Sequence, residues 1–175
     1  HERCFLSLHV VPSRENIPEY HRLRIQLEQL TSEINGAWSR PGWIPIHYYY
    51  HSLSPTELMA YYRRAEIMLI TALKDGMNLV AKEYIAAQDP ENPGMPVLSS
   101  LAGAAHELTD AVIVNPHDRE EVADGIATAI NMPVEERRER YASMIEILRK
   151  NDITAWRTRF VDALMRKRVG PRLDA

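Results

Sequence analysis

Short apolar runs alternate with amphipathic stretches along most of the chain. The apolar runs occupy residues 4–11, 44–50, 66–71, 95–100 and 111–115. Runs of this length without polar interruption are typical of strands buried in a parallel sheet. Between them, apolar residues recur every three or four positions, which is the period of a helix. The alternation predicts an α/β fold: a Rossmann-like parallel sheet with helices on both faces.

Capping and breaking residues predict where the helices begin and end. A first helix is expected from Pro18, and the Asn-Gly pair at 35–36 is expected to end it. Ser54 followed by Pro55 predicts the start of a second helix, and Asp118 predicts the start of another. The apolar positions of the first helix are Leu23, Leu27, Leu30 and Ile34.

The alternation of strands and helices stops at Pro133. After it the chain is expected to hold only helices, at 133–149 and 151–168, so we divide it into an α/β domain over 1–132 and C-terminal helices over 133–175. The first of these helices is rich in both Glu and Arg, which predicts a solvated amphipathic helix with paired charges.

Composition narrows the possible classes of function. The chain has 175 residues with 45% hydrophobic and 26% charged residues, as in ordinary globular proteins. Its formal net charge of −3 gives no electrostatic case for nucleic acid or an anionic membrane surface. A single cysteine, Cys4, fits a reducing, cytoplasmic compartment, and the spacing of the histidines predicts no metal site. We also find no transmembrane run in the sequence.

The stretch KDGMNLVAKEY, residues 74–84, follows the third predicted strand directly. Ligands of parallel sheets bind beyond the carboxyl ends of the strands, where loops lead into helices. If the helix begins near Asn78, the amides of Leu79 and Val80 are free donors suited to phosphate. Gly76 would permit an unusual backbone conformation and close approach of a ligand.

Two carboxylates flank these amides. Asp75 could accept hydrogen bonds from sugar hydroxyls, and Glu83, on the same helix face as Leu79, could accept them from a ribose diol. The same residues also fit an ordinary helix start, in which Asp75 or Asn78 is a cap and Gly76 serves a tight turn. Spacing alone leaves both interpretations open.

The segment DGMNLVAKEYIAAQDPENPGMPVLSSLAGAAHELTDAVIVNPHD closely resembles the donor-binding, carboxyl-terminal half of the trehalose-6-phosphate synthase family. The segments VVPSRENIPEYHRLR, INGAWSRPGWIPIHYYY and KNDITAW resemble it as well, so the likeness covers about residues 8 to 166. The family has the GT-B architecture, in which two Rossmann-like lobes enclose the active site. It transfers glucose from UDP-glucose to glucose 6-phosphate with retention of configuration.

The resemblance implies roles for particular residues. Asp75 would be the catalytic-site acid that binds the hydroxyls of the donor glucose, with help from the amides of Gly76, Met77 and Asn78. The remaining matches are Leu79 and Val80 on the diphosphate, Glu83 on the ribose, Leu58 near the uracil and Arg14 on the phosphate of the acceptor. The family needs no metal or cofactor, so none is expected here.

The resemblance also implies what this chain would not contain. The family's acceptor lobe and its basic pair on the donor diphosphate correspond to positions before His1. We therefore expect the donor half only, inactive by itself, with a homo-oligomer possible in the intact enzyme. Two alternatives stay open: a relative with another acceptor, such as a glucosylglycerol-phosphate synthase, and a non-catalytic module that binds nucleotide sugars.

Overall fold

A computed structural model describes residues 4–12 and 16–168. Over these residues the chain forms parallel strands, α-helices and one short 3-10 helix at Gly103–His106. The strands are β1 (Leu6–Val10), β2 (Ile46–Tyr50), β3 (Ile67–Ile70), β4 (Met95–Ser99) and β5 (Val112–Val114). The helices are α1 (Pro18–Trp38), α2 (Pro55–Arg64), α3 (Leu79–Ala87), α4 (Arg119–Asn131), α5 (Val134–Lys150) and α6 (Ile153–Arg168). The α/β class with parallel strands is confirmed.

The contacts divide the chain into two compact units, with the boundary between Glu57 and Leu58. The first unit carries β1, α1 and β2, and the second carries β3 to β5 with α3 to α6 and most of α2. The strands form one parallel sheet of β1 and β2 and another of β3, β4 and β5 in that order.

In the first unit, β1 runs parallel to β2 with Leu6 opposite Ile46 and Val10 opposite Tyr50. The prediction that Asn35 and Gly36 end the first helix was wrong, because α1 continues to Trp38 and its C-cap is Ser39. The reason is a contact between distant residues: the Asn35 amide donates to the Ile46 carbonyl at 2.9 Å and accepts from the Ile46 N–H at 3.0 Å. Its side chain is therefore used to join α1 to β2 and does not start a turn.

In the second unit, β4 is the central strand and all five of its residues are buried. Helix α4 covers the face of Val97, Val112 and Val114, where Gly125 lies so close that a Cβ would come within 2.5 Å of a Val114 methyl. Helix α3 contributes Tyr84 and Ile85 to the core, and α5 contributes Met144. A continuous apolar core therefore backs the carboxyl ends of β3, β4 and β5.

Helix α5 has the paired charges that the sequence predicted, and two of its arginines make further contacts that the sequence did not predict. Arg137 donates to the carbonyl of Pro93 and, at 3.0 Å, to the side-chain oxygen of Asn92. Arg138 donates to the carbonyl of Glu91 at 2.7 Å. Paired charges do occur four residues apart, as in Arg140–Glu136 at 2.7 Å, but the first two arginines hold the loop before β4.

Candidate functional site

The predicted ligand loop lies where β3 ends and α3 begins. After Ile70 the chain passes through residues 71–78, and α3 starts at Leu79 as the sequence predicted. The hydroxyl of Ser99, at the carboxyl end of β4, donates to the Ala72 carbonyl at 2.6 Å and accepts from the Leu101 N–H at 3.1 Å. One buried serine thus joins this loop to the loop that follows β4.

Asn78 determines how α3 begins. Its backbone is left-handed, with φ 73° and ψ 85°, and its side-chain oxygen accepts a hydrogen bond from the Ala81 N–H at 2.9 Å. Gly76 does not have a positive φ, so the left-handed residue of this turn is Asn78 and not the glycine. Asparagine tolerates the left-handed region and caps helices well, so Asn78 meets both needs with one side chain.

Asp75 is held by the residues that follow it. One carboxylate oxygen accepts from the Met77 N–H at 3.1 Å, and the other accepts from the Asn78 side-chain amide at 3.0 Å. These bonds, first the one from Met77 and then the one from Asn78, lower the pKa of Asp75 below its ordinary value. The group is thus an ionised acceptor at neutral pH, and a carboxylate has about four acceptor positions, so a ligand hydroxyl can still bind.

The backbone of residues 75–77 lies against residues 101–104. The Gly103 N–H donates to the Asp75 carbonyl at 2.9 Å, and the Ala104 N–H donates to the Met77 carbonyl at 2.6 Å. A Cβ on Gly103 would lie only 2.2 Å from the Gly76 carbonyl oxygen, whereas a Cβ on Gly76 would meet no atom within 4 Å. Gly103 is therefore required for close packing between the loops, and Gly76 faces open space.

The first turn of α3 supplies the donors that the sequence predicted. A helix leaves the N–H groups of its first residues without partners inside the helix. The side chain of Asn78 accepts from Ala81, and the amides of Leu79 and Val80 are the others in this turn that the helix does not satisfy. The Leu79 side chain is 58% exposed and the Val80 side chain 36%, so this end of the helix is open to solvent.

Helix α2 contacts Glu83 through Tyr62 and also carries Leu58. Glu83 is exposed on α3, and the hydroxyl of the buried Tyr62 donates to one of its carboxylate oxygens over a long 3.5 Å. Leu58 lies one turn before Tyr62 and packs, partly buried, against the core. The structure thus places Asp75 and the first-turn amides at the N-terminal end of α3, and Glu83 one turn further along the same helix. Arg14 lies outside the described residues.

Four residues near this site were missed by sequence reasoning: Tyr62, Gly103, Lys82 and its partner Glu107. The Lys82 ammonium donates to both carboxylate oxygens of Glu107, each at 3.0 Å. One signal was available, because a lysine in the first turn of a helix opposes the helix dipole and so calls for a nearby acid. The identity of that acid, 25 positions along the chain, is not visible in any local pattern.

Within residues 4–12 and 16–168, no three His, Cys, Asp or Glu side chains are grouped so that they could hold a metal ion. In the same part of the chain, every helix is too short or too polar to cross a membrane.

The fold defines a class of α/β proteins with parallel sheets and helices, and the family follows from sequence. Residues 1–166 match the model of glycosyltransferase family 20, and the chain belongs to that family. The trehalose-6-phosphate synthase of Klebsiella pneumoniae subsp. pneumoniae is 48% identical over 162 residues, which are 93% of this chain and 34% of that protein. This chain therefore spans about a third of the length of the curated relatives it matches.

Two solved structures match the fold closely. An E. coli structure described as trehalose-6-phosphate bound with UDP-2-fluoro glucose is 45% identical, with a TM-score of 0.88 over 91% of this chain and 36% of that one. A UDP-forming α,α-trehalose-phosphate synthase from Burkholderia xenovorans, in complex with glucose-6-phosphate, is 43% identical, with a TM-score of 0.88 over 90% of this chain and 35% of that one. The predicted family and fold class are confirmed.

Proposed function

We propose that this chain is the donor-binding part of a retaining glycosyltransferase. The enzyme transfers glucose from UDP-glucose to glucose 6-phosphate and forms trehalose 6-phosphate and UDP. One observation carries the proposal: the ionised Asp75 and the amides of Leu79 and Val80 lie at the N-terminal end of α3, and the exposed Glu83 follows one turn along that helix. The similarity to a structure bound with UDP-2-fluoro glucose supports the choice of donor.

Each of the proposed site residues has a chemical task. Asp75 binds the hydroxyls of the glucose that is transferred, and Glu83 binds the ribose diol. The amides of Leu79 and Val80 hold the diphosphate, whose negative charge increases as it leaves, so their contribution is greatest in the transition state. Leu58 gives an apolar contact near the uracil.

The backbone amides of Gly76, Met77 and Asn78 are proposed to assist Asp75 on the sugar. The Met77 N–H already donates to Asp75, so a sugar oxygen would have to share this donor or displace the carboxylate. Gly76 has no atom near the position of a Cβ, which leaves room for the sugar beside its backbone.

Retention needs no protein nucleophile in this proposal. The bond from the anomeric carbon of glucose to the diphosphate oxygen breaks, and the acceptor hydroxyl bonds to that carbon on the same face. The acceptor's proton passes to the departing diphosphate oxygen. Arg14 is proposed to bind the phosphate of the acceptor, for which its planar guanidinium is suited.

Binding without turnover, by a module that binds nucleotide sugars, is the second candidate function. The residues proposed for the donor, Asp75, Leu79, Val80 and Glu83, all lie in this chain. Another acceptor, such as glycerol 3-phosphate, would keep the enzyme class and change the product.

Calorimetry with UDP and UDP-glucose tests the donor site directly. We expect Asp75→Ala and Glu83→Ala each to weaken UDP-glucose binding at least about tenfold, because each removes a charge-assisted hydrogen bond. Asp124→Ala, an exposed carboxylate on α4, is the matched control and should bind like the parent. Unchanged binding in both site variants would refute the proposed site. Assays with glucose 6-phosphate and glycerol 3-phosphate then separate transfer from binding alone and identify the acceptor.

Four further features of the proposal depend on the resemblance. We propose a nucleotide-sugar-binding domain over 1–132 and C-terminal helices over 133–175 whose last helix contacts the acceptor lobe. In support, α6 exposes apolar side chains at Ile153, Trp156, Phe160 and Leu164. We also propose metal-independent activity, a cytoplasmic location and homo-oligomeric assembly. Activity after chelation tests the metal independence, cell fractionation tests the location, and light scattering tests the assembly.

A further inference from the structure

The ion pair between Lys82 and Glu107 is the least exposed one among the residues that the structure describes. The Lys82 side chain is 19% exposed and the Glu107 side chain 34%. Both carboxylate oxygens accept from the ammonium at 3.0 Å. The next least exposed pairs are Arg24–Glu28 on α1, with exposures of 37% and 39%, and Arg140–Glu136 on α5, with 33% and 44%.

The first turn of α3 does not by itself stabilise a lysine at position 82. Lys82 is the fourth residue of α3, in the turn where the helix dipole carries partial positive charge. An acid would stabilise this turn, but the turn contains none. The lysine is therefore stabilised by Glu107, which follows the 3-10 helix and so belongs to the loop after β4.

That loop is the support of the donor site. At its start Ser99 binds Ala72, in its middle Gly103 and Ala104 donate to the backbone of Asp75 and Met77, and at its end Glu107 binds Lys82. The loop is thus fixed both to the residues before α3 and to the first turn of α3. The geometry between Asp75 and the first-turn amides depends on these three attachments.

We propose that Lys82 and Glu107 are positioning residues for the nucleotide-sugar donor. The ion pair holds the first turn of α3 at a fixed distance from residues 75–77, so that the sugar-binding carboxylate and the diphosphate-binding amides fit one ligand. Neither side chain touches the donor. This inference depends on the proposed function, because it concerns the same site.

Three variants of the full chain test the pair by calorimetry with UDP-glucose: Lys82→Met, Glu107→Gln and the double variant. We expect each single change to weaken binding about five- to tenfold, the size of effect typical when residues act through others. The double variant should bind no more weakly than Lys82→Met, because the two changes break one interaction. Lys82→Arg, which keeps the charge, should restore most of the affinity.

The control is Glu28→Gln, which breaks the Arg24–Glu28 ion pair of similar exposure on α1, outside the loop after β4. It should leave UDP-glucose affinity unchanged, while its effect on the unfolding midpoint should match that of Glu107→Gln. A purely structural role for Lys82–Glu107 would make all these variants alike in affinity, and that result would overturn the inference.

Glu107→Gln separates positioning from direct contact. If Lys82 bound the diphosphate itself, removing the competing carboxylate would leave binding unchanged or tighter, and that outcome also overturns the inference. A parent chain that does not bind UDP-glucose would instead refute the proposed function, and this inference with it. A parent that binds and variants that bind equally well would refute the inference alone.

Discussion

Two glycines of the candidate site differ in a way that can be measured. An alanine at Gly76 would meet no atom within 4 Å, and Gly76 does not have a positive φ. We therefore expect Gly76→Ala to keep or slightly raise stability, by up to about 1 kcal/mol. We expect UDP-glucose affinity to fall at least about tenfold, because the methyl group would lie where the proposed sugar approaches. Thermal unfolding and calorimetry on the same sample check both parts.

Gly103→Ala is the matched comparison, with the same added methyl group. Its Cβ would lie 2.2 Å from the Gly76 carbonyl oxygen and 3.2 Å from the Met77 Cα, so the backbone must move. We expect a loss of about 1–3 kcal/mol in the free energy of unfolding, together with weaker binding. If Gly76→Ala bound UDP-glucose like the parent, the donor would not approach this part of the loop.

The two roles of Asn78, left-handed backbone and cap, can be separated by substitution. Asn78→Gly keeps the backbone conformation and should cost only a few tenths of a kcal/mol. Asn78→Ala loses the cap and strains the backbone, so we expect the free energy of unfolding to fall by about 2–3 kcal/mol. Urea unfolding measures both values.

Asp118→Ala supplies the control for the cap alone. Asp118 caps α4 by accepting from the N–H groups of Glu120 and Glu121, and its φ of −104° is ordinary. Asp118→Ala should lower the free energy of unfolding by about 1 kcal/mol. Equal losses for Asn78→Ala and Asn78→Gly would show that the left-handed backbone adds no strain at this position.

His9 makes the stability of the first unit depend on pH. It stacks on Tyr49 with ring centroids 4.8 Å apart, and burial and then the nearby His51 lower its pKa below 6.5. The unfolded chain then binds more protons than the folded chain, so stability is lost as the pH falls from 6.5 toward the folded pKa. We expect the urea midpoint to fall between pH 7.5 and 5.5, and to fall less in His9→Phe, which keeps a stacking ring. An equal fall in both proteins would show that His9 is not the cause.

At the level of elements, local pattern predicted the order and type of the strands and helices well. The end of α1 was the clear error, since it depended on the bonds of Asn35 to Ile46 in β2. At the site, too, local features were predicted and contacts between distant residues were not. The start of α3 was predicted from local residues, whereas Gly103 and Glu107 were missed because their contacts are with residues distant along the chain.

The arginines of α5 give a prediction at this scale. Arg137 donates to the Pro93 carbonyl and the Asn92 side chain in the loop before β4. We expect Arg137→Met to lower the free energy of unfolding by about 1.5–3 kcal/mol, because it leaves a partly buried carbonyl without its charged donor. Arg149→Met, on an exposed position of the same helix, should change it by less than about 0.5 kcal/mol. Equal effects in urea unfolding would show that the loop does not depend on Arg137.

At the scale of the whole chain, the buried core is unevenly divided. Among the residues whose burial the structure describes, every buried hydrophobic one lies between Tyr62 and Met144, in the second unit. Among residues 4–12 and 16–57 of the first unit, Thr31 is the only buried side chain. Composition averaged over the chain could not predict this asymmetry, because the apolar residues of α1 are as regularly spaced as those of a core helix, yet Leu23 is 61% exposed and Leu30 is 54% exposed.

This uneven core predicts that the first unit opens more readily than the second. Stability against local opening follows buried apolar contact, so the amides of β2 should exchange with solvent at least about tenfold faster than those of β4. Hydrogen exchange followed by mass spectrometry on the full chain measures both strands at once. The same measurement in the presence of UDP-glucose tests the donor site, since a donor bound at α3 should slow exchange in residues 75–83. Equal protection of β2 and β4, with one coincident unfolding transition, would mean that the chain is stabilised as a single unit despite where its core lies.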